Sequence, residues 1–291
     1  MGQSVAPVGV KTLGDAMNPI SINFHLYKPC DSRCTFCFAT FRDVEGQLDP
    51  DAARRLLDQL RAAGGEKLTF AGGEPTLHPH LGALVDHAKA LGFTTSIVTS
   101  GSRLDALLDG HASSLDWAAL SVDSAVEKTQ RSLGRGRGDH VARVRSLAAR
   151  CHAEGVRLKV NTVVTALNCD EDMGALVHEL HPERWKVFQV LRVEGQNDGR
   201  VEPLLITKER FAAFVERHGS LASAGIAVVA EDNDAMEDSY VMIDPRGRFY
   251  GNHDGRHRVS EPILAVGVRA ALGQVGFSAE KFEGRGGRYA W

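Results

Sequence analysis

Short β-rich runs alternate with helical runs along the first two thirds of this 291-residue chain. The β-rich runs have the lengths of buried strands, and residues typical of helix boundaries lie between them. An alternation of this kind predicts a parallel sheet whose strands are joined by right-handed crossovers. The six predicted strands span residues 20–27, 67–71, 94–99, 117–122, 157–164 and 185–193.

The polar and glycine-rich segments fall in the last half of each predicted strand or in the loop that follows it. Barrels place their sites at that edge of the sheet, so we predict an α/β fold based on a partial, TIM-like (β/α)6 barrel. The dinucleotide fingerprint G-x-G-x-x-G does not follow the first strand, which argues against a flat Rossmann sheet.

The pattern changes after Val193, where a predicted helix precedes two predicted strands and a Pro-Arg-Gly turn. This mixed order predicts an α+β extension rather than further β/α units. We therefore expect an N-terminal segment (1–19), a partial barrel (20–193) and a C-terminal extension (194–291) that closes the site.

The composition is that of a globular protein, with 43% hydrophobic and 24% charged residues. A formal net charge of −3 argues against a general nucleic-acid-binding protein. No apolar stretch has the length needed to cross a bilayer, and the start of the chain lacks the form of a signal peptide. We expect a cytoplasmic monomer without a membrane or nucleic-acid partner.

Three cysteines follow the first predicted strand in a C-x3-C-x2-C run, at Cys30, Cys34 and Cys37. Three thiolates on one short loop can hold three irons of a [4Fe–4S] cluster, which usually takes four cysteine ligands. A missing fourth ligand leaves one iron open, and an open metal position is where chemistry can occur.

A structural zinc site is the alternative for this loop. Structural zinc takes four ligands, typically as two pairs, and the other cysteines, Cys151 and Cys169, each stand alone. A histidine such as His25 or His78 could supply a fourth ligand, so the sequence leaves zinc open. A disulfide framework is disfavoured because the cysteines are few and no secretion signal is present.

A second motif, Gly72-Gly73-Glu74-Pro75, ends the second predicted strand. Glycines there allow the backbone to approach a ligand, and Glu74 adds an acceptor for an ammonium group, although a plain βα turn needs the same residues. One β/α unit after the cysteine loop, this motif resembles the radical SAM superfamily. The resemblance implies that G-G-E-P binds the amino group of S-adenosylmethionine (SAM).

The same resemblance implies a role for L-S-V-D-S at the end of the fourth predicted strand. Ser121, Asp123 and Ser124 match the place where that fold binds the ribose and carboxylate of SAM. A helix N-cap is the alternative role for such a serine–aspartate pair.

Within that superfamily, the chain from about Ser21 to Trp291 is similar to the viperin family of radical SAM nucleotide dehydratases. The terminal stretch and R-W-K-V-F-Q are the most specific matches. The matching stretches are N-F-H, C-x3-C-x2-C-F, A-G-G-E-P, L-G-R-G-R-G, K-V-N-T-V, R-W-K-V-F-Q, D-S-Y and R-G-G-R-Y-A-W.

That similarity implies a reaction. A reduced cluster cleaves SAM, and the 5′-deoxyadenosyl radical removes the C4′ hydrogen of a ribonucleoside triphosphate, CTP or UTP before GTP. Loss of the 3′-hydroxyl as water and a reduction give the 3′-deoxy-3′,4′-didehydro nucleotide, an antiviral chain terminator. A flavodoxin or ferredoxin would supply electrons.

The similarity also assigns roles to residues. Tyr240, a candidate donor in the final reduction, and Lys159 are the implied catalytic residues. The implied cofactor-binding residues are Gly72, Gly73, Glu74, Thr99, Ser121, Asp123, Arg135, Phe36 and Val187. The implied substrate-binding residues are Asn23, Lys159, Asn161, Lys186, Asn233, Tyr240, Arg285 and Arg288.

The residues themselves give physical support to some of these roles. A lysine inside an apolar parallel strand needs a reason, and Lys159 and Lys186 could point from the carboxyl ends of their strands at phosphates. Both could instead be ordinary solvent lysines, and Tyr240 could be a core residue. The glycine-rich tail with Arg285 and Arg288 predicts either a basic flap over the phosphates or a frayed terminus.

Several positions depart from the viperin pattern and leave the base undetermined. They are Ala39, Ala71, Ser100 and the predicted loop 251–258. Two other functions remain open: a radical SAM enzyme that modifies a peptide or small metabolite, and a non-catalytic iron–sulfur or zinc protein. The absence of a cysteine-rich extension after Cys169 argues against the first, and intact G-G-E-P with strand lysines argues against the second.

Overall fold

The computed structural model describes residues 20–291, so the expected segment 1–19 lies outside the described residues. Ten strands form one mixed sheet. They are β1 (Ser21–Tyr27), β2 (Lys67–Gly72), β3 (Thr94–Thr99), β4 (Trp117–Ser121), β5 (Arg157–Val164), β6 (Arg184–Gln189), β7 (Ala227–Glu231), β8 (Val241–Ile243), β9 (Arg248–His253) and β10 (Arg256–Pro262).

The strand order is β10-β9-β8-β1-β2-β3-β4-β5-β6-β7. Strands β1 to β6 lie side by side in parallel, which confirms the predicted (β/α)6 partial barrel. Strand β7 continues the parallel sheet beyond β6, and β8 returns to pair in parallel with β1. The part of the chain after β6 therefore supplies both edges of an open sheet.

The C-terminal strands differ from the sequence-based expectation at one place. Segment 251–258 was expected to be a loop, but most of it lies in the antiparallel hairpin of β9 and β10. Only the turn at Asp254 and Gly255 is irregular. The pairing of β9 with β8 extends the sheet on the β1 side, so this segment becomes part of a wall of the barrel.

Eleven α-helices occur in the described residues, and the longer ones cover the outer face of the sheet. They are α1 (Pro50–Ala62), α2 (Leu81–Ala90), α3 (Leu104–His111), α4 (Glu127–Ser132), α5 (His140–Ala153), α6 (Gly174–Leu180), α7 (Lys208–Arg217), α8 (Asn233–Met236), α9 (Ile263–Val266), α10 (Val268–Leu272) and α11 (Ala279–Gly284). None of these helices is long and apolar enough to span a membrane.

Helix α1 shows how the local sequence sets these boundaries. Asp49 is the N-cap, and its carboxylate accepts a hydrogen bond from the Ala52 N–H at 2.7 Å, while Pro50 takes the first helical position. Leu56, Leu57 and Leu60 lie on one face and are fully buried. Helix α1 is thereby fixed against the outer face of the sheet.

Alternation along the strands gives the inner face its polar character. In β6, Trp185 and Val187 are fully buried in the core, whereas Lys186 and Phe188 line an internal cavity. Successive side chains of a strand point to opposite faces, so the inner face can be polar while the outer face packs against helices. The barrel interior is thus the place for a polar site.

Candidate active site

A cavity of about 970 Å³ occupies the inner face of the barrel. Seventeen of the predicted site residues line it, which brings together positions far apart in the sequence. They are Asn23, Cys30, Cys34, Phe36, Cys37, Gly72, Gly73, Glu74, Thr99, Ser121, Asp123, Arg135, Lys159, Asn161, Lys186, Tyr240 and Arg285.

Three predicted site residues do not line the cavity. Val187 is buried on the outer face of β6, because its neighbours Lys186 and Phe188 take the inner one. Asn233 begins α8, and its backbone N–H donates to Gln189 at 3.3 Å. Arg288 is about half exposed and lies 3.8 Å from Glu66. The structure does not bring these three side chains to the site.

Glycines anchor the cysteine loop. The Gly73 N–H donates to the Tyr27 carbonyl at 2.6 Å, and a Cβ at Gly73 would lie 2.5 Å from the Pro29 carbonyl oxygen. On the other side, the Arg33 N–H donates to the Gly134 carbonyl at 2.8 Å. The predicted close approach of the glycines is therefore an approach to the backbone of the loop itself, which only glycine permits.

The three thiols of this loop lie at one end of the cavity, with Cys30 exposed at the loop's edge. Burial raises the pKa of Cys30 to about 11 and that of Cys34 to about 12, so a bound metal must displace their protons. Among residues 20–291, no three His, Cys, Asp or Glu side chains are grouped so as to hold a metal ion. All three cysteines are free thiols on one short loop, and three thiolates can hold three irons of a cluster.

Glu74 is buried and has many hydrogen-bond donors around it. Its carboxylate accepts from the hydroxyl of Thr99 at 2.5 Å, from both the N–H and the hydroxyl of Ser100 at 2.7 Å, and from Thr76 at 2.6 Å. These bonds tie the end of β2 to the end of β3. The role of Glu74 as an acceptor for an ammonium group stays a prediction.

The end of β4 carries a second buried carboxylate. Asp123 accepts from Arg135 Nε at 2.5 Å and from the Val163 N–H at 2.9 Å, and the guanidinium lies 5.9 Å from the Phe36 ring centroid. Arg135 is thereby held beside the cysteine loop. Ser124 instead donates to Glu171 at 2.7 Å, a structural contact, and α4 has Val126 rather than a serine as its N-cap.

Five cationic side chains line the part of the cavity nearer the tail, and Lys67 and Arg184 among them were missed from the sequence. Each begins its strand, so both resembled surface residues. Four of the cations lie in the first half of β2, β5 and β6, not at the carboxyl ends as expected, and the fifth, Arg285, follows α11. The five are Lys67, Lys159, Arg184, Lys186 and Arg285.

Burial lowers the pKa of these amines in the ligand-free protein. It lowers the pKa of Lys67 to about 7 and that of Lys186 to about 8. The pKa of Lys159 is lowered by burial and then by the neighbouring Lys67. Burial away from water is the main cause of these shifts, and the neighbouring cations add to it, so each of these lysines would be better stabilised as a cation by a bound anion.

Glu231 is the carboxylate that partly compensates these cations, and it too was missed from the sequence. It is fully buried at the end of β7 and lies 2.6 Å from Lys186 Nζ and 3.4 Å from Arg285 Nη1. Burial alone would raise the pKa of Glu231, but the two cations hold it below the usual value. Finding it required knowing that β7 pairs with β6.

Tyr240 lies inside this polar network, just before β8. Its hydroxyl donates to Glu231 and accepts from Lys186 Nζ at 2.7 Å. The Arg285 guanidinium lies 3.6 Å from its ring centroid. Burial holds the pKa of Tyr240 well above its usual value, so the phenol keeps its proton. The alternative of an ordinary core residue does not fit these contacts.

The C-terminal tail enters the cavity through Tyr289, another residue that the sequence did not indicate. The Tyr289 hydroxyl accepts from Lys67 and Lys159, and its ring lies 4.0 Å from the Arg184 guanidinium and 5.9 Å from Trp117. A frayed terminus does not fit this placement.

Comparison with known proteins defines the class of this fold and site. The model of the Radical SAM superfamily matches residues 26–180, which are more than half of the chain. The crystal structure of Streptococcus suis SuiB bound to S-adenosylmethionine has the same fold, with a TM-score of 0.67 at 18% identity over 80% of this chain and 60% of that one. The chain belongs to the radical SAM superfamily.

Two relatives define the family more narrowly. An S-adenosylmethionine-dependent nucleotide dehydratase of Flammeovirga pacifica is 43% identical over 93% of this chain and 96% of its own length. The S-adenosylmethionine-dependent nucleotide dehydratase RSAD2 of Oncorhynchus mykiss is 36% identical over 99% of this chain and 86% of its own. The chain therefore belongs to the S-adenosylmethionine-dependent nucleotide dehydratase family, as the viperin resemblance predicted.

This assignment confirms several predictions made from the sequence. The cofactors are a [4Fe–4S] cluster and SAM, and the protein is a radical SAM enzyme rather than a non-catalytic scaffold. The three free thiols at the cavity end fit that cluster, and no fourth cysteine lines the cavity among residues 20–291.

Proposed function

We propose that this enzyme converts a ribonucleoside triphosphate, CTP or UTP, to its 3′-deoxy-3′,4′-didehydro analogue. The observation that carries this proposal is the charge of the cavity. Five cationic side chains line the end of the cavity away from the cysteine loop, and one buried carboxylate, Glu231, pairs with two of them, Lys186 and Arg285.

Buried like charges are costly unless an anion joins them. A triphosphate chain supplies several negative charges and many acceptor oxygens in an extended form. Lysines and arginines are the side chains that bind phosphate, arginine in bidentate fashion. A neutral peptide or small metabolite would leave the lysines without counter-charge, so the cavity favours a nucleoside triphosphate over those alternatives.

The distance between the cation end and the cysteine end of the cavity indicates how the substrate lies in it. Lys67 and Gly73 are separated by six positions along β2, roughly 20 Å at the rise of a strand. Phosphates at the cations would leave the sugar in the middle, near Tyr240, Asn23 and Asn161. The C4′ hydrogen would then face the cofactor end.

The cofactors and the chain have separate parts in this mechanism. A reduced cluster with bound SAM supplies the 5′-deoxyadenosyl radical. Cys30, Cys34 and Cys37 hold the cluster, while Asp123 and Arg135 border the SAM position. The tail with Tyr289 closes the cation end and excludes water. Tyr240 supplies the one electron that completes the C3′=C4′ double bond, and its phenolic proton leaves with the 3′-hydroxyl as water. The external electron donor then restores the tyrosine.

The remaining parts of the proposal concern the protein's surroundings. The extension 194–291 closes the nucleotide site, since Tyr240, Arg285 and Tyr289 line the cavity and Glu231 pairs with the lining residue Lys186. In this proposal the protein works as a monomer. Exposure of Cys30 leaves an edge of the loop open to a flavodoxin or ferredoxin, and such a thiol suits the reducing cytoplasm.

Isotope transfer tests the reaction. CTP and UTP carrying deuterium at C4′ are incubated separately with the anaerobically reconstituted enzyme, SAM and dithionite. We expect 5′-deoxyadenosine to gain deuterium with at least one of the two. Unlabelled 5′-deoxyadenosine from both, formed at the nucleotide-free rate, would contradict the proposal.

A further inference from the structure

Four buried polar atoms without a hydrogen-bond partner lie in one wall of the described part of the barrel. They belong to β1, β9 and β10, the strands on the side away from Lys159 and Lys186. The atoms are His25 Nδ1, the Tyr250 hydroxyl, Asn252 Oδ1 and His257 Nε2. Buried polar groups are nearly always paired, so a group of unpaired ones needs an explanation.

The side chains of this wall are packed ring against ring. His25 lies 5.5 Å from Tyr250 and 6.2 Å from Phe38, and Tyr250 lies 4.8 Å from His257, measured between centroids. Burial lowers the pKa of His25 to about 3 and that of His257 to about 4. Both imidazoles are neutral near pH 7, so the wall offers hydrogen bonds and flat surfaces without net charge.

Asn252 is the member of this wall best placed to bind a ligand. It is only 6% exposed, it lines the cavity, and its side chain makes no hydrogen bond to the described residues. Its backbone carbonyl accepts from the Asp238 N–H at 3.3 Å, and Asn252 pairs with His257 across the hairpin. The backbone of β9 at Asn252 is therefore held in place, while the side-chain amide of Asn252 has no partner among the described residues.

The two sides of the cavity thus have opposite chemistry. Cations from β2, β5, β6 and the tail form one side, and the neutral aromatic wall with Asn252 forms the other. A nucleotide has the same division, with charged phosphates at one end and a flat, uncharged heterocycle at the other. An amide offers a donor and an acceptor in one plane, which matches the edge of a base.

We propose that Asn252 reads the hydrogen-bonding edge of the nucleobase and sets the base preference of this enzyme. The inference rests on the proposed function, since it assigns the base of the nucleoside triphosphate to this wall. His25 lines the same part of the cavity and positions the base by ring contact.

Substitution of the amide changes the donor–acceptor pattern in a defined way. In Asn252→Asp the carboxylate can only accept, so base edges that present an acceptor beside a donor are disfavoured. The pyrimidines present such edges, whereas guanine presents two adjacent donors. A site that mismatches a hydrogen-bonding edge loses much affinity. Asn252→Ala removes both groups and keeps the wall's rings.

The test measures equilibrium binding of CTP, UTP and GTP to the ligand-free protein by calorimetry, which needs no cluster. We expect Asn252→Asp to weaken binding of the preferred pyrimidine at least about tenfold and to raise its affinity for GTP relative to that pyrimidine. Asn252→Ala should bring the three affinities to within about threefold of one another. Arg258→Gln, an exposed neighbour on β10, should keep the wild-type pattern.

The possible results separate the two proposals. Wild-type protein that binds triphosphates while both Asn252 variants keep the wild-type ratios would overturn the role of Asn252 and leave the proposed function intact. Wild-type protein that binds none of the three would contradict the proposed function and this inference with it. Unchanged melting temperatures of the variants show that altered ratios do not come from misfolding.

Discussion

Lys186 Nζ and Glu231 Oε1 lie 2.6 Å apart between the adjacent parallel strands β6 and β7, and the carboxylate is fully buried. The same carboxylate accepts from Tyr240 and lies beside Arg285, so one residue joins two strands, the segment before β8 and the tail. Glu231 therefore holds the cation end of the site in place when no phosphate is bound.

Glu231→Gln keeps the shape of this side chain and removes its charge. Lys186 and Arg285 would then be buried without a counter-ion, and we expect a loss of about 3–5 kcal/mol in the free energy of unfolding. Bound nucleotide should raise the free energy of unfolding of this variant by more than it raises that of the wild type. Urea unfolding with and without nucleotide checks this, with the exposed Glu209→Gln as a control that should change little. An unaltered midpoint for Glu231→Gln would contradict the role of the pair.

Lys67 predicts a pH dependence of nucleotide binding. Its pKa of about 7 in the free protein should rise when phosphates arrive. Below about pH 7 the amine already carries its proton, whereas from about pH 7 to pH 10 binding must take one up, so Kd should weaken as pH rises through that window.

Calorimetry in buffers of different ionisation enthalpy measures this proton uptake. Lys67→Met should reduce the uptake near pH 8 and weaken triphosphate binding, while Lys128→Met on the exposed surface of α4 should do neither. Equal uptake by wild type and Lys67→Met would show that Lys67 is not the group that takes up the proton when the phosphates bind.

Gly73→Ala tests the anchoring of the cysteine loop. The added Cβ would lie 2.5 Å from the Pro29 carbonyl oxygen, so the loop must move, at a cost of about 1–3 kcal/mol. We expect low iron incorporation on reconstitution. Gly110→Ala in α3 has nothing within 4 Å of its Cβ and should gain about 0.5–1 kcal/mol instead. Full iron content in Gly73→Ala would argue against the anchor.

Tyr240→Phe separates hydrogen abstraction from the final reduction. The ring and its contact with Arg285 remain, but the hydroxyl between Lys186 and Glu231 is lost. We expect nucleotide-dependent 5′-deoxyadenosine to form near the wild-type rate while the dehydrated nucleotide falls at least about tenfold. Lys186→Met should instead raise KM. A normal product yield from Tyr240→Phe would assign the tyrosine a structural role alone.

The parallel barrel could be predicted from the sequence because its signals are local. Asp49 and Pro50 fix the start of α1, and apolar runs of strand length alternate with helical patterns. The cysteine loop and G-G-E-P are contiguous motifs, so they too could be recognised without coordinates.

Residues brought together only by tertiary structure could not be found in this way. Lys67 and Arg184 begin their strands beside other charged residues and resemble solvent-exposed positions. The contact of Glu231 with Lys186 depends on the pairing of β7 with β6. The contact of Tyr289 with Lys159 depends on the tail folding back into the barrel. The alternation of side chains along β6 shows that Lys186 and Val187 point to opposite faces, but only the structure shows which face lines the cavity.

Nucleotide-dependent SAM cleavage tests the central claim most directly. The anaerobically reconstituted enzyme receives SAM, dithionite and one of CTP, UTP, GTP or ATP, and 5′-deoxyadenosine and any nucleotide lighter by one water are measured. Cys34→Ala, which lacks a cluster ligand, should form neither product with any of the four triphosphates. We predict that CTP or UTP raises both signals together. Slow 5′-deoxyadenosine formation, indifferent to all four triphosphates and without a dehydrated nucleotide, would contradict the account.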